Sequence, residues 1–323
     1  MTTFETRPVR RVAQVGSGYM GGGIAQVLAL AGTDVVLSDV DGDKAEAALA
    51  RLLAESRAFE TAGLFAAGST ETLEQRLTAA PSIEDAVADA DYVAEAVFES
   101  REVKADVLAR VSKAAPADAV IGTNTSAIPI GELAASVTAP ERFLGVHWMN
   151  PAPFIPGVEL IAHTTTAPEV VDVAEELIRA AGKVPARVAD APGFVANRLQ
   201  FALFKEAVKV VEEGLATPEQ VDLVVSNAFG FRLALFGPFA IADMAGLDVY
   251  NASHGSLEAE YGERLAAPAA LRELVEKGHF GLKSGHGFLD IDADAADDLK
   301  AYRDRAYAGL DAFRRELGRA PGL

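Results

Sequence analysis

The chain contains no cysteine. Disulfides, thiolate zinc sites and cysteine nucleophiles are thereby excluded. Positive charge is scarce as well: 29 Lys and Arg face 47 Asp and Glu, a net charge of −18. That balance works against binding nucleic acid or an anionic membrane over most of the surface. Long hydrophobic runs are missing too. No window reaches the roughly 18 consecutive apolar residues of a membrane span, and the opening MTTFETRPVR lacks the apolar core of a signal peptide. The expectation is a cytoplasmic protein with a small-molecule partner, no nucleic acid and no membrane. Histidine is rare, five in 323 residues, so the place of each carries information.

What is present changes character partway along. A chain of this length, half of it hydrophobic, is expected to form two domains. Up to about residue 190, short apolar runs alternate with amphipathic stretches, the pattern of βαβ units building a parallel sheet. Strands are predicted at RVAQV from Arg11 and DVVLSD from Asp34, with further candidates from Asp91, Ala119, Phe143, Val158 and Val184. Asp43 to Arg76, rich in Ala and Glu, reads as a helical hairpin turning near Ala62 and Gly63. Beyond APGF, Ala191 to Phe194, helical periodicity takes over, with a Thr-Pro helix start at Thr217. The predicted organisation is an α/β domain over 1–190, Rossmann-like with a doubly wound, mostly parallel sheet, and a smaller all-α domain over 191–323. The first helix of the latter carries Leu199, Leu203, Phe204, Val208 and Val211 in one stripe, to be covered by core or by a partner subunit.

Directly after the first strand comes GSGYMGGG, in which Gly16, Gly18 and Gly21 fit GxGxxG. Gly16 permits the tight turn, Gly18 lets backbone approach a pyrophosphate, and Gly21 lets helix and strand pack closely. The pattern alone is weak. Here it follows a strand, opens a helix predicted over Gly21 to Ala31 with Gly32 at its C-cap, and precedes a strand ending in Asp39. Asp39 suits the adenosine ribose hydroxyls and would repel a 2′-phosphate, so NAD is expected rather than NADP. Tyr19 and Met20 of the same loop belong to the cofactor-binding set.

In such sheets the chemistry sits outside the carboxyl ends of the strands. One predicted strand runs into Asn124 and Ser126 and another into His147; Glu159 begins the next strand behind a proline-rich loop. An antiparallel return would bring its carboxylate beside the imidazole. Oxidising an alcohol requires a base for the hydroxyl proton, a role suited to neutral His147 with Glu159 fixing its tautomer. Ser126 could donate to the substrate oxygen. Taken singly, His147 also reads as a structural histidine and Ser126 as a strand-end cap; the case rests on their joint location.

With GSGYMGGGIAQVLALAG, VAEAVFESREVK, TNTSAIPI, HWMNPAP, APGFVANRL, GPFAIADMAGLD and FGLKSGHGF in view, nearly the whole chain resembles the NAD-dependent L-3-hydroxyacyl-CoA dehydrogenases. The resemblance implies His147 as general base, Glu159 as its partner, Ser126 as a hydroxyl binding substrate and cofactor, and Asn197 as a substrate-binding amide. It also implies cofactor contacts from Glu99 and Lys104, Asn124 in the cofactor site, Asn150 near the substrate, and a homodimer formed through the helical domain. The chain departs from the acyl-CoA pattern at FIPG, Phe154 to Gly157, in its acidic hairpin, and at NAFGFRLALFGP, which holds Arg232. Those features resemble relatives acting on small hydroxy acids, the L-gulonate (lambda-crystallin) and L-carnitine dehydrogenases and a pyridine-carboxylate dehydrogenase. In such a relative Arg232 would pair with a free carboxylate. A third reading is a non-catalytic NAD-binding structural protein, which the presence of His147, Glu159, Ser126 and Asn197 disfavours.

Overall fold

The computed structural model describes residues 8–321. The chain divides into two compact units, Met1–Leu203 and Phe204–Leu323. The first opens with β1 (Arg11–Val15) and α1 (Tyr19–Leu30), followed by β2 (Asp34–Ser38), α2 (Gly42–Thr61) and α3 (Ser69–Arg76). Next come β3 (Leu77–Ala79), α4 (Ile83–Val87), β4 (Tyr92–Glu95), α5 (Arg101–Ala114), β5 (Val120–Thr123) and α6 (Ile130–Ala134). β6 (Phe143–Trp148), β7 (Gly157–Ala162), α7 (Pro168–Ala180) and β8 (Val184–Ala189) complete the sheet, and α8 (Ala196–Glu212) starts in this unit and runs into the second.

Local chemistry accounts for these bounds. α1 begins at Tyr19, two residues before the predicted Gly21, because extended Gly18 serves as its N-cap. Gly32, at φ 99, turns the chain out of the helix. Asp41 caps α2 by accepting from the Lys44 N–H, and Gly63, at φ 70, follows its end. β3 was not anticipated; three residues are too few to display an alternation.

The eight strands lie in the order β3-β2-β1-β4-β5-β6-β7-β8. Every neighbouring pair is parallel except β6 and β7, which run antiparallel with His147 opposite Glu159. The strand order reverses direction at β1 and β4, which places a crevice at their carboxyl ends. Buried side chains fill both faces of the sheet: Val12, Leu28, Leu37, Val146 and Leu160 on one, Val15, Val93, Leu108, Ile121 and Phe143 on the other.

The second unit contains α9 (Pro218–Asn227), α10 (Phe229–Leu233), α11 (Pro238–Ala245), α12 (Leu247–Tyr261), α13 (Ala269–Glu276) and α14 (Ala296–Leu317). Thr217 caps α9 through the Gln220 N–H. Gly246, at φ 107, divides α11 from α12, where the sequence reads as one helical run. Fully buried Asp243 accepts from the Phe288 and Leu289 N–H groups, tying the FGLKSGHGF turn to α11. No described helix is long and apolar enough to cross a membrane.

Candidate active site

A cavity of about 1010 Å³ opens over the carboxyl ends of β1, β4, β5 and β6. Its nucleotide end is shaped by the three glycines in three ways. A Cβ on Gly16, where φ is 87, would lie 2.6 Å from the Ala96 carbonyl oxygen, and one on Gly21 would lie 1.9 Å from the Gly16 oxygen. Those two positions are closed by backbone. At Gly18 a Cβ would meet nothing within 4 Å, and Gly18 lines the cavity. The space left open there faces the N-terminus of α1, whose first turn holds no acidic residue, so an anionic group is favoured. Asp39 stands on the same wall. Its Oδ2 accepts from the Ser17 N–H at 2.9 Å and hydroxyl at 2.6 Å, and its Oδ1 from the Val40 N–H at 2.9 Å. Partial burial pushes its pKa up, but these hydrogen bonds outweigh it and hold the carboxyl below its ordinary 3.8. The open glycine face, the unopposed helix end and the charged Asp39 together fit NAD.

Glu99 organises the middle of the cavity. Its Oε1 accepts from the Thr125 hydroxyl at 2.6 Å and from the Ser126 and Ala127 N–H groups at 2.8 and 3.2 Å, with the Ser126 hydroxyl at 3.3 Å. Burial opposes its ionisation, yet these donors and the charge of Lys104 hold its pKa below 4.5. Lys104 itself does not reach the cavity. It is fully buried behind Glu99, where its Nζ lies 2.8 Å from buried Glu95 and 3.3 Å from Glu99. Glu95 is further held by the Thr123 hydroxyl and the Val97 N–H. Lys104, expected in the cofactor site, here forms a buried pair that anchors Glu99. Breaking such a buried pair costs roughly 3–5 kcal/mol.

At the far end, β6 and β7 place His147 Nδ1 2.8 Å from Glu159 Oε2, with both side chains buried. Glu159 Oε1 accepts from the Val195 and Ala196 N–H groups, each at 2.9 Å, at the start of α8. A carboxylate accepts, so Nδ1 is the donor, and in the neutral imidazole Nε2 then carries the lone pair. Phe194, a buried aromatic at φ 47, packs its ring 5.6 Å from the imidazole. A bulky residue in the left-handed region is rare and strained, and here the turn aims both N–H groups at Glu159. Asn197 Nδ2 donates to the Ser126 carbonyl at 2.9 Å, and Asn124 Oδ1 accepts from the Trp148 N–H at 2.8 Å.

The cavity therefore brings together Gly16, Gly18, Met20, Asp39 and Glu99 with Asn124, Ser126, His147, Asn150 and Asn197. Tyr19, two-thirds exposed, and inward-packed Gly21 are not on its wall. Arg232 lies in the second unit, on α10. Sequence reasoning missed Val40 and Phe98, which are 74% and 79% exposed and flank Asp39 and Glu99 on the wall. Their signal was a large apolar residue just beyond a strand end.

Comparison with known proteins places these features in a family. Residues 11–191 match the model for the 3-hydroxyacyl-CoA dehydrogenase NAD binding domain, and residues 193–291 match the model for its C-terminal domain. A 5-formyl-3-hydroxy-2-methylpyridine 4-carboxylate 5-dehydrogenase of Mesorhizobium japonicum is 38% identical over 310 residues, 96% of this chain and 98% of that protein. A probable 3-hydroxybutyryl-CoA dehydrogenase of Bacillus subtilis is 34% identical over 285 residues, 88% of this chain and 98% of that protein. Among solved structures, a 3-hydroxyacyl-CoA dehydrogenase of Archaeoglobus fulgidus superposes with a TM-score of 0.77 at 32% identity, covering 96% of this chain and 99% of that one.

Proposed function

We propose a reaction from one premise: the chain belongs to the 3-hydroxyacyl-CoA dehydrogenase family and is an NAD-dependent oxidoreductase. The reaction interconverts an L-3-hydroxyacyl group and its 3-oxo form, with a CoA thioester as the first substrate reading. The observation that carries it is the 2.8 Å contact of Glu159 with Nδ1 of His147, whose imidazole stands on the wall of the cavity that also holds Gly18 and Asp39. NAD, when bound, would supply the acceptor for the hydride that leaves carbon 3. His147 Nε2 receives the hydroxyl proton, and Glu159 stabilises the imidazolium and holds the ring in one tautomer. Ser126 donates to the substrate oxygen, and Asn150 and Asn197 bind the substrate. Asp39 holds the adenosine ribose, while Val40 and Phe98 offer apolar faces to the adenine. Glu99 holds the Ser126 loop against the cofactor, and Lys104 supports Glu99. The region beyond residue 190 serves substrate binding and, in our reading, a homodimer.

A second substrate reading, a small free hydroxy acid with Arg232 as the carboxylate partner, is favoured by the hairpin of α2 and α3. Its three arginines are in ion pairs: Arg51 with Glu55, Arg57 with Glu74 and Arg76 with Asp34. Little cationic surface is left there to steer the phosphates of CoA. Turnover measured by cofactor absorbance on acetoacetyl-CoA, 3-hydroxybutyryl-CoA and free 3-hydroxy acids decides between the two. Activity on the thioesters is the first expectation; activity on free acids alone installs the second reading; no cofactor turnover on any of them overturns both.

A further inference from the structure

β6 and β7 are joined by MNPAPFIP, Met149 to Pro156, with proline at 151, 153 and 156. Proline has no N–H, so this loop has few amides with which to hold itself; Phe154 and Ile155 both donate theirs to the Pro151 carbonyl. Three of its other carbonyls converge on one side chain. Lys183 Nζ donates to the oxygens of Ala152, Pro153 and Ile155 at 2.6, 3.0 and 2.9 Å. The N–H of the next residue, Val184, donates to Pro156 at 2.8 Å. An ammonium has three donors, and all three are used.

Lys183 is buried, and its partners are neutral carbonyls with no carboxylate among them. A buried cation without a counter-charge is costly, and burial lowers its pKa. A lysine whose sole task was to fill space between α7 and β8 would be better replaced by an apolar side chain. What the ammonium does supply is a single point that fixes the path of the loop. The loop's first two residues, Met149 and Asn150, stand on the cavity wall with His147. Its middle rests on α1, where a Cβ on Gly23 would come within 3.0 Å of Pro153 and 3.4 Å of Ala152.

We propose that Lys183 is a positioning residue for the reaction: its ammonium gathers the carbonyls of the 152–155 segment and so sets Met149 and Asn150 beside His147. It acts on the substrate through them and does not touch it. The assignment rests on the reading of His147 as the base.

The absence of cysteine makes the test direct. Lys183→Cys introduces the one thiol in the chain, so 2-bromoethylamine restores an ammonium at nearly lysine's reach, whereas iodoacetamide installs a neutral amide. The amide form should lose roughly 10²-fold in kcat/KM, mainly through the KM of the hydroxy substrate that the wild-type protein turns over, as expected for a displacement of about 1 Å. NAD affinity, read by tryptophan fluorescence, should stay within about twofold, and aminoethylation should restore most of the loss. A folded amide form with wild-type kcat/KM overturns the proposal. So does a parallel loss of NAD affinity, or an aminoethylated form that is no better than the amide. If only the aminoethylated protein refolds, Lys183 is a folding element and the positioning role falls. Wild-type turnover in His147→Ala would remove the base reading while leaving the Lys183 result standing, so the two failures are distinguishable.

Discussion

At the nucleotide end of the cavity the strands are all parallel, and each contributes through the loop that leaves it: Gly16 and Gly18 after β1, Asp39 after β2, Glu99 after β4. At the other end β6 and β7 are antiparallel, and the two polar groups sit within the strands, directly opposite in the ladder. The first arrangement sets geometry by backbone conformation and hydrogen bonds in loops, so its parts can be adjusted one by one. The second sets geometry by register. A parallel pair can do the same, as Glu95 and Thr123 do across β4 and β5, but only the antiparallel pair at this end brings its facing polar residues to the cavity, through His147.

The strongest way to break the antiparallel end is His147→Ala. Turnover should fall by roughly 10² to 10⁴, the usual contribution of a general base, with NAD affinity near normal because the glycine loop is untouched. Steady-state kinetics with parallel NAD titration checks this, and full turnover would reject the base assignment.

The glycine loop can be sharpened by a pair of substitutions with opposite consequences. Gly16→Ala forces a Cβ into the left-handed region and against the Ala96 carbonyl, which should lower stability by roughly 2–4 kcal/mol. Gly18→Ala meets no protein atom and should melt like the wild type, yet weaken NAD roughly tenfold or more because its methyl occupies the space meant for the cofactor. Thermal melting and NAD titration of both variants separate the two roles. Equal NAD affinity in Gly18→Ala would remove that glycine from the cofactor site.

The smallest effect concerns Glu99, which joins the two ends. Its folded pKa lies below the ordinary 4.5, so its contribution to stability is complete above about pH 4.5 and is lost as pH falls through the depressed value. Glu99→Gln should therefore melt below the wild type at neutral pH, with the gap closing as the solution is acidified. A gap that stays constant with pH would show that charge is not what Glu99 supplies.

Much of the fold was legible in the sequence because its strands are buried apolar runs with turn residues at their ends, as in RVAQV and FLGVHW. GxGxxG with a downstream Asp reports backbone requirements, so it pointed to the nucleotide end. β3 and the break at Gly246 were not legible, the former too short for a pattern and the latter hidden in continuous helical periodicity. Lys104 shows the limit for side chains: the resemblance implied a place at the cofactor site but could not say on which side of the wall the ammonium would lie. Phe194 and Lys183 were invisible for a related reason. Their partners are a ring and three carbonyls brought close only by the folded loops, and no spacing in the chain encodes that meeting.

The alternation along β6 and β7 has a consequence for how this enzyme is inherited. Val146, Trp148, Val158 and Leu160 point into one core, while His147 and Glu159 point to the opposite face. A slip of one residue in this ladder would move the apolar set to the other face of the sheet, out of the core it fills, at the same stroke that separates the polar pair. Any lineage that keeps the protein folded is therefore forced to keep the two residues facing each other. Selection for stability alone proofreads the alignment, leaving selection for activity to act only on which side chains occupy the two positions.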